Sequence, residues 1–269
     1  MKVENKAGAV GVMLKDGRLK VVTYNVHKCV GLDRRERPGR IAAVLREVDA
    51  DIIALQEVVS VESDSSREAH QARYIAEELG FQFHLGENRK HRGGAYGNVV
   101  LTRLPVAHCH NYDITWRWQE PRGALRVDVQ LDGPGAEVVH LFNIHLGTAF
   151  VERRHQGRKL CSESVLRDPK LTGLRVVLGD FNEWTHGLAS RLLSQELRSA
   201  DLRQHLRTRR TYPGALPFLH LDHVYYDHAL ELERLTLHRS RLALVASDHL
   251  PLVADFKISR QEAAKTSSQ

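Results

Sequence analysis

Residues 176–182 read Val-Val-Leu-Gly-Asp-Phe-Asn, an apolar run that ends in Gly179 and Asp180. The run predicts a buried strand, and glycine followed by aspartate makes a tight exit that directs the carboxylate. Loops at such exits expose side chains on a rigid scaffold. An aspartate that only caps its own turn explains this segment equally well on its own, so the rest of the chain decides its meaning.

Five further polar clusters follow apolar runs elsewhere in the sequence. Each contains Asn, Asp, Glu or His, and together with residues 179–182 they supply oxygen ligands and imidazoles, a set without thiolates that suits Mg²⁺ or Mn²⁺ better than zinc. One cluster alone also fits a solvated strand end, a cap or a polar edge, whereas their joint occurrence favours a site. The five are Thr23-Tyr24-Asn25, Gln56-Glu57, Asn143-Ile144-His145-Leu146, Leu221-Asp222-His223 and Ser247-Asp248-His249.

Many strands with single helices between them are predicted, which suggests stacked sheets with helices outside. A helix opens at Pro38, where proline favours the first turn, and Gly80 is expected to cap the helix over 67–79. Further helices are predicted over 150–166 and 188–197. The predicted strands cover 19–24, 51–55, 81–85, 98–102, 125–131, 138–144, 176–178, 221–226, 242–245 and 251–256.

The composition is that of a globular protein, with 42% hydrophobic and 27% charged residues among 269. It excludes a disordered or collagen-like chain, and no apolar run approaches the ~18–20 residues of a membrane span. Three widely spaced cysteines and an N-terminus without an apolar signal segment suggest a reducing cytoplasm. We expect an N-terminal extension or first strand over 1–18, one domain over 19–257, and a polar tail over 258–269.

A net charge of +6 favours an anionic partner, whether nucleic acid, membrane surface or phosphorylated small molecule. Residues 87–94 form a basic, glycine-rich segment that reads as either a solvated loop or a phosphate contact. Residues 115–122 place two tryptophans beside two arginines, which could stack on bases, lie at a lipid interface or pack across the fold. The arginine-rich run over 203–210 is best explained as a solvated face.

The chain resembles the endonuclease/exonuclease/phosphatase superfamily from about Leu19 to Phe256. The resemblance implies an α/β (α+β) fold, a four-layer α/β/β/α sandwich with two central mostly antiparallel sheets and one metal-dependent site at the sheet ends. It rests on the order and spacing of the motifs TYN (23–25), LQE (55–57), YGNVVLTRLP (96–105), NIHL (143–146), GDFN (179–182), LDHV (221–224) and SDHLP (247–251).

The resemblance also implies a role for each matching position. Glu57 is the principal carboxylate for Mg²⁺ or Mn²⁺, with Asn25 and Asp248 at neighbouring metal positions. Asp180 and Asn182 position the attacking water and hold the phosphate or a second metal. The catalytic set continues with His145 and His249, which contact the scissile phosphate, and Asp222, which orients His249.

Substrate-side positions are assigned less directly. Asn98 falls in the substrate-side motif, and Arg122 resembles a substrate-side arginine of the superfamily. Asn143 shares a strand face with His145, and Trp118 belongs to the tryptophan–arginine segment. Some superfamily members pair the first histidine with a glutamate, for which Glu120 is the candidate here.

These observations predict a Mg²⁺-dependent phosphohydrolase, specifically a phosphodiesterase or nuclease acting on an anionic diester, with nucleic acid favoured. The alternative is a phospholipid or lipid-linked phosphodiesterase at a membrane surface. A non-catalytic anion-binding scaffold is a third possibility, which the full set of metal and phosphate residues argues against. We expect a monomer, because no segment indicates an obligate protein partner.

Overall fold

A computed structural model of the chain describes Leu14 and residues 17–61, 66–131, 137–183, 187–200 and 221–258. The described residues contain twelve strands and five α-helices. The strands are β1 (Arg18–Asn25), β2 (Ile52–Ser60), β3 (Gln82–His91), β4 (Gly94–Thr102), β5 (Val106–Asp113), β6 (Gly123–Gln130), β7 (Val138–His145), β8 (Leu174–Asp180), β9 (Arg198–Ser199), β10 (Asp222–Tyr226), β11 (Leu230–Leu237) and β12 (Leu252–Ile258). The helices are α1 (Pro38–Val48), α2 (Gln71–Leu79), α3 (Phe150–Leu160), α4 (Leu188–Leu193) and α5 (Ala243–Ala246).

Two six-stranded sheets form the centre of the fold. Their strand orders are β11-β12-β1-β2-β4-β3 and β5-β6-β7-β8-β10-β9. Each sheet contains one parallel pair, β1 with β2 and β7 with β8, and its other pairs are antiparallel. The sheets are therefore mixed and mostly antiparallel.

Three apolar layers hold the sheets and helices together. The central layer lies between the sheets and includes Val21, Val127 and Leu178. Outer layers pack α1, α2 and α5 on the first sheet and α3 with α4 on the second. Because each sheet buries both faces, its central strands are apolar almost throughout, and the expected four-layer α/β/β/α sandwich is confirmed.

Two helix signals in the sequence are confirmed in the structure. Pro38 occupies the start of α1, and Gly80 ends α2 in the left-handed conformation with a φ of 71°. The helix predicted over 67–79 begins only at residue 71, after a 3₁₀ turn over 67–69. The helix predicted over 150–166 ends at residue 160.

The strand predicted over 242–245 is wrong, because these residues lie in and next to α5, whose Ala243 and Ala246 pack on the first sheet. Such a short apolar run has no periodicity that separates a buried helix from a strand. The basic segment over 87–94 is largely a hairpin between β3 and β4 rather than a loop. Strands β5 and β11 were not predicted, since their exposed faces interrupt the apolar pattern.

Several predictions fall outside the described residues. These are the arginine-rich run over 203–210, most of the extension over 1–18 and nearly all of the tail over 258–269. Among the helices of the described segments, none has the length and apolarity that crossing a bilayer requires.

Candidate active site

A cleft of about 390 Å³ opens where the carboxyl ends of the two parallel strand pairs meet. Parallel neighbours bring their carboxyl ends to one edge of a sheet, so motifs far apart in sequence converge there. Eight of the twelve predicted site residues line this cleft: Asn25, Glu57, Arg122, His145, Asp180, Asn182, Asp248 and His249.

Gly179 explains how the segment that ends β8 approaches its neighbour. Its φ of 144° favours glycine, and a Cβ here would collide with the carbonyl oxygen of Ile144 on β7. The close approach fixes the register in which His145 pairs with Asp180 at the ends of the two strands. The tight exit predicted from the sequence thus sets the distance between two site residues.

A β-bulge turns Glu57 into the cleft. The register of β2 on β4 shifts between Leu55 and Val58, and Glu57 has a φ of 59°. A bulge re-aims a side chain that regular alternation would direct elsewhere. The Glu57 carboxylate accepts hydrogen bonds from Asn25 Nδ2 at 3.2 Å and from Lys28 Nζ at 3.0 Å.

Neighbouring side chains stabilise the ionised form of Glu57. Burial raises the pKa of this carboxyl, but His145 and Lys28 lower it to about 2. In the acid range where Glu57 titrates, His145 is itself protonated, so both neighbours are cations there. Glu57 is therefore an anion at neutral pH.

Lys28 reaches Glu57 from a strained turn that follows β1. Three successive non-glycine residues, His27, Lys28 and Cys29, have positive φ values of 45°, 58° and 58°. Such backbone persists only where its surroundings over-determine it. Here Asn25 Oδ1 accepts a hydrogen bond from the His27 amide at 3.0 Å, and Gln71 Nε2 donates to the Lys28 carbonyl at 2.8 Å.

Asp180 lies at the centre of the cleft and is almost fully buried. Its Oδ2 accepts a hydrogen bond from Asn25 Nδ2 at 3.0 Å, which joins the two sheets at their ends. The same oxygen lies 3.6 Å from Nε2 of His145 and 3.6 Å from Nε2 of His249. Asp180 Oδ1 accepts from the backbone amide of Asn182, whose side chain donates to the carbonyl of Leu146.

His249 is paired with Asp222, whose carboxylate is fully buried behind it. Nδ1 of His249 lies 3.0 Å from Asp222 Oδ2. Burial lowers the pKa of His249, but the charges of Asp222 and Asp180 raise it to about 10. His249 is thus an imidazolium at neutral pH and carries a proton on both nitrogens.

His145 has a cationic partner instead. Arg122 Nη1 lies 3.0 Å from His145 Nδ1, and because a guanidinium only donates, Nδ1 is the acceptor. Burial and the Arg122 charge lower the pKa of His145 to about 4, so the ring is neutral and carries its proton on Nε2. Glu120 does not contact the ring; it accepts from Arg122 Nη2 at 2.8 Å and from Arg89 Nε at 2.9 Å.

This arrangement presents two Nε2–H groups to one carboxylate inside a cleft that also holds an ionised glutamate. A family model described as "Endonuclease/Exonuclease/phosphatase family" matches residues 22–249. The chain belongs to that family. Members of the endonuclease/exonuclease/phosphatase family are typically phosphoesterase hydrolases, and this fold is a phosphohydrolase fold.

Relatives and solved structures agree with this assignment. The chain is 30% identical over 250 residues to the Escherichia coli protein YbhP, covering 89% of this chain and 96% of YbhP. It is similar in fold to the Bacteroides thetaiotaomicron mannosyl-6-phosphatase, with 15% identity, a TM-score of 0.72 and coverage of 88% of this chain and 99% of that one. The human nocturnin catalytic domain with bound sulfate gives 19% identity, a TM-score of 0.70 and coverage of 92% and 96%.

Two predicted substrate-side residues are buried between the sheets of this family fold rather than in the cleft. Asn143 Nδ2 donates to the carbonyls of Leu55 and Val99, both at 2.9 Å, and its Oδ1 accepts from Gln56 Nε2 at 2.7 Å. Asn98 Nδ2 donates to the carbonyls of Gly123 and Asn143. Both amides therefore tie the sheets together beside the bulge.

Trp118 lies outside the cleft lining, with 82% of its surface exposed. Sequence reasoning did not single out Lys28, Tyr96, Arg89 or Thr148, which line the cleft. Arg89 lies in the basic segment over 87–94, for which a phosphate contact was one of two interpretations, and Tyr96 opens the motif over 96–105. In contrast, no glycine marks the turn that places Lys28.

The cleft contains donors of the kind that suit the divalent cation implied by the family. Glu57, Asp248 and Asn25 line it and offer hard oxygen atoms. In the part of the chain that the structure describes, no group of three or more His, Cys, Asp or Glu side chains is arranged as a chelate. Carboxylate and amide oxygens are the donors that Mg²⁺ prefers, and Mg²⁺ keeps several of its own waters when one or two carboxylates bind it.

Proposed function

We propose that the protein hydrolyses phosphodiesters by attack of an activated water, with a divalent cation as cofactor. The observation that carries this proposal is the position of Asp180 Oδ2, which lies 3.6 Å from Nε2 of both His145 and His249. A phosphate bound at this point would receive two hydrogen-bond donors, and the carboxylate would lie beside its phosphorus.

The two histidines would stabilise the charge that develops on the phosphate. His249 supplies a cation because Asp222 stabilises its protonated form. Neutral His145 supplies one N–H, on Nε2, because its Nδ1 accepts a hydrogen bond from Arg122. Fixed donors aimed at developing charge are worth about 10²–10³ in rate each. Asp180 would accept the proton of the attacking water, and the backbone amide of Asn182 fixes the rotamer of that carboxylate.

Glu57, Asn25 and Asp248 would hold Mg²⁺ or Mn²⁺. When bound, the cation would neutralise charge on the phosphate oxygens. Lys28 already neutralises Glu57 in part, and its ammonium would turn toward the substrate phosphate once Glu57 has another partner.

The diester group is the proposed substrate because a net charge of +6 and a cleft lined by Lys28, Arg89 and Arg122 suit a polyanion. Nucleic acids and phospholipids both present this group. A soluble diester such as bis(p-nitrophenyl) phosphate therefore tests the reaction without a choice between them.

The test compares Glu57→Gln with Glu47→Gln, a matched change on the exposed side of α1. With Mg²⁺ or Mn²⁺, we expect wild type and Glu47→Gln to cleave the diester, and Glu57→Gln to lose about 10²-fold or more of the rate. Calorimetry should show weaker cation binding in Glu57→Gln alone. Unchanged turnover and cation affinity in Glu57→Gln would refute the proposal.

A further inference from the structure

The three most exposed large apolar side chains of the described residues belong to two segments that also contribute residues to the cleft lining. Trp118 is 82% exposed, and Phe150 and Val151 are each 56% exposed. Single exposed apolar residues are ordinary on protein surfaces, whereas neighbouring ones mark a surface that contacts something.

Two segments bring these side chains together. The loop over 114–122 carries Trp118 and contributes Glu120 to the cleft lining, and the start of α3 follows Thr148, another lining residue. The ring of Trp116 lies 6.1 Å from the ring of His155 on α3, so the loop packs beside the helix. We call the exposed side chains of residues 116–118 and 150–159 the docking rim.

The polar part of the docking rim is basic. Arg158 and Lys159 are exposed on α3, and Arg154 is half-buried. Across Phe150–Leu160, which the structure describes in full, the single acidic side chain is Glu152, and it is buried with a hydrogen bond from Gln156. The surface beside the apolar side chains therefore presents cations alone from this helix.

Arginines also cover the aromatic rings of the rim. The guanidinium of Arg117 lies over both Trp116 and Trp118, at 5.1 and 5.5 Å from the ring centroids. Arg154 lies over Phe150 at 5.7 Å. Each guanidinium covers one face of its ring. A surface that combines aromatic and aliphatic side chains with Lys and Arg is typical of binding to a membrane interface. The exposed aliphatic Val151 beside the rings favours this occupant over single-stranded nucleic acid, whose bases stack on aromatic rings.

We propose that the docking rim binds the surface of an anionic phospholipid bilayer, so that a headgroup diester faces the cleft. Val151 and Phe150 would enter the headgroup region, and Arg117, Arg154 and Arg158 would contact lipid phosphates. The docking step stands on the rim alone, whereas cleavage of the headgroup rests on the proposed function.

The experiment measures co-sedimentation with vesicles of phosphatidylcholine, with and without phosphatidylglycerol. The rim variants are Val151→Asp and Arg158→Glu. The matched controls are Leu32→Asp, an exposed apolar position outside the rim, and Arg239→Glu, an exposed position before α5. Hydrolysis of bis(p-nitrophenyl) phosphate by each variant reports an intact cleft.

We expect wild type to bind the vesicles that contain phosphatidylglycerol, more weakly as salt rises. Each rim variant should lower the partition coefficient about tenfold or more, because a lipid-facing anchor gains a charge or a surface cation is reversed. The controls should bind like wild type, and all four variants should hydrolyse the soluble diester at the wild-type rate.

Two vesicle results would overturn the docking proposal: no binding of wild type to anionic vesicles, or rim variants that bind the vesicles as wild type does. Binding of a single-stranded oligonucleotide is measured in parallel, and a third refuting result is that the rim variants weaken this binding alone. The last would assign the rim to nucleic acid. If the vesicle results follow expectation but wild type cleaves no diester with any cation, docking stands and the proposed function fails.

Discussion

Replacing Asp222 with asparagine removes the carboxylate that holds the imidazolium of His249. The two side chains lie 3.0 Å apart and are both buried, so solvent screens their interaction little. Burial lowers the pKa of His249, but Asp222, followed by Asp180, raises it to about 10. The variant should therefore change how the free energy of unfolding depends on pH.

The sign and size of this change follow from proton linkage. An unfolded histidine titrates near ~6.5, so the folded pKa of His249 is raised, and its stabilising contribution is full below that pH and is lost as pH rises toward 10. One pH unit inside this window costs about 1.4 kcal/mol, so wild type should lose about 2–3 kcal/mol between pH 7 and pH 9 through this group. Asp222→Asn should lose most of that slope.

The assay is urea unfolding at pH 7, 8 and 9 with EDTA present, for wild type, Asp222→Asn and His249→Gln. Cysteines in the unfolded chain also titrate in this range, but they contribute equally to the three proteins, so the difference in slope isolates the pair. Both variants should show a shallower slope than wild type, because His249→Gln removes the titrating ring and Asp222→Asn removes the larger of the charges that raise the pKa of His249. An Asp222→Asn slope equal to that of wild type would refute the reasoning.

Two further predictions concern the centre of the cleft and the ties between the sheets. Asp180→Asn should lower kcat about 10²-fold or more on bis(p-nitrophenyl) phosphate with little change in KM, since the lost group acts in the transition state; a raised KM alone would make Asp180 a binding residue. Asn143→Ala should lower the free energy of unfolding by about 2–4 kcal/mol in urea, because it removes the hydrogen bonds to the buried carbonyls of Leu55 and Val99 and the bond from Gln56 Nε2. A change below about 1 kcal/mol would contradict the role of Asn143 as a tie.

The strands that end in the cleft could be predicted because their signals are local. An apolar run followed by a polar exit marks the ends of β1, β7 and β8, and parallel pairing then brings these ends together. Gly179 and Asp180 mark the end of β8 directly in the sequence. The family resemblance supplied the pairing of distant motifs, which no local pattern contains.

The features that escaped prediction depend on tertiary contacts. No glycine marks the positive φ values of Glu57 or of the turn at Lys28. The first coincides with the β-bulge of β2 against β4, and at the second the Lys28 carbonyl accepts a hydrogen bond from the distant Gln71. Asn143 and His145 are two residues apart on β7, yet Asn143 bonds across the sheet interface while His145 lines the cleft. Register fixes the face of a strand, but the partner across the sandwich determines what a side chain does there.

The two histidines of the cleft differ in protonation although both are imidazoles. Both follow apolar runs, and their sequence surroundings give no reason to assign them different charges. The structure places a carboxylate behind His249 and a guanidinium behind His145, so one ring gains a proton and the other loses it. Since environments that push paired pKa values apart assign separate roles to chemically identical groups, His249 is the cationic donor and His145 the neutral one. Asp180 Oδ2 lies 3.6 Å from Nε2 of both rings, so a phosphate bound beside it would meet one cationic and one neutral donor.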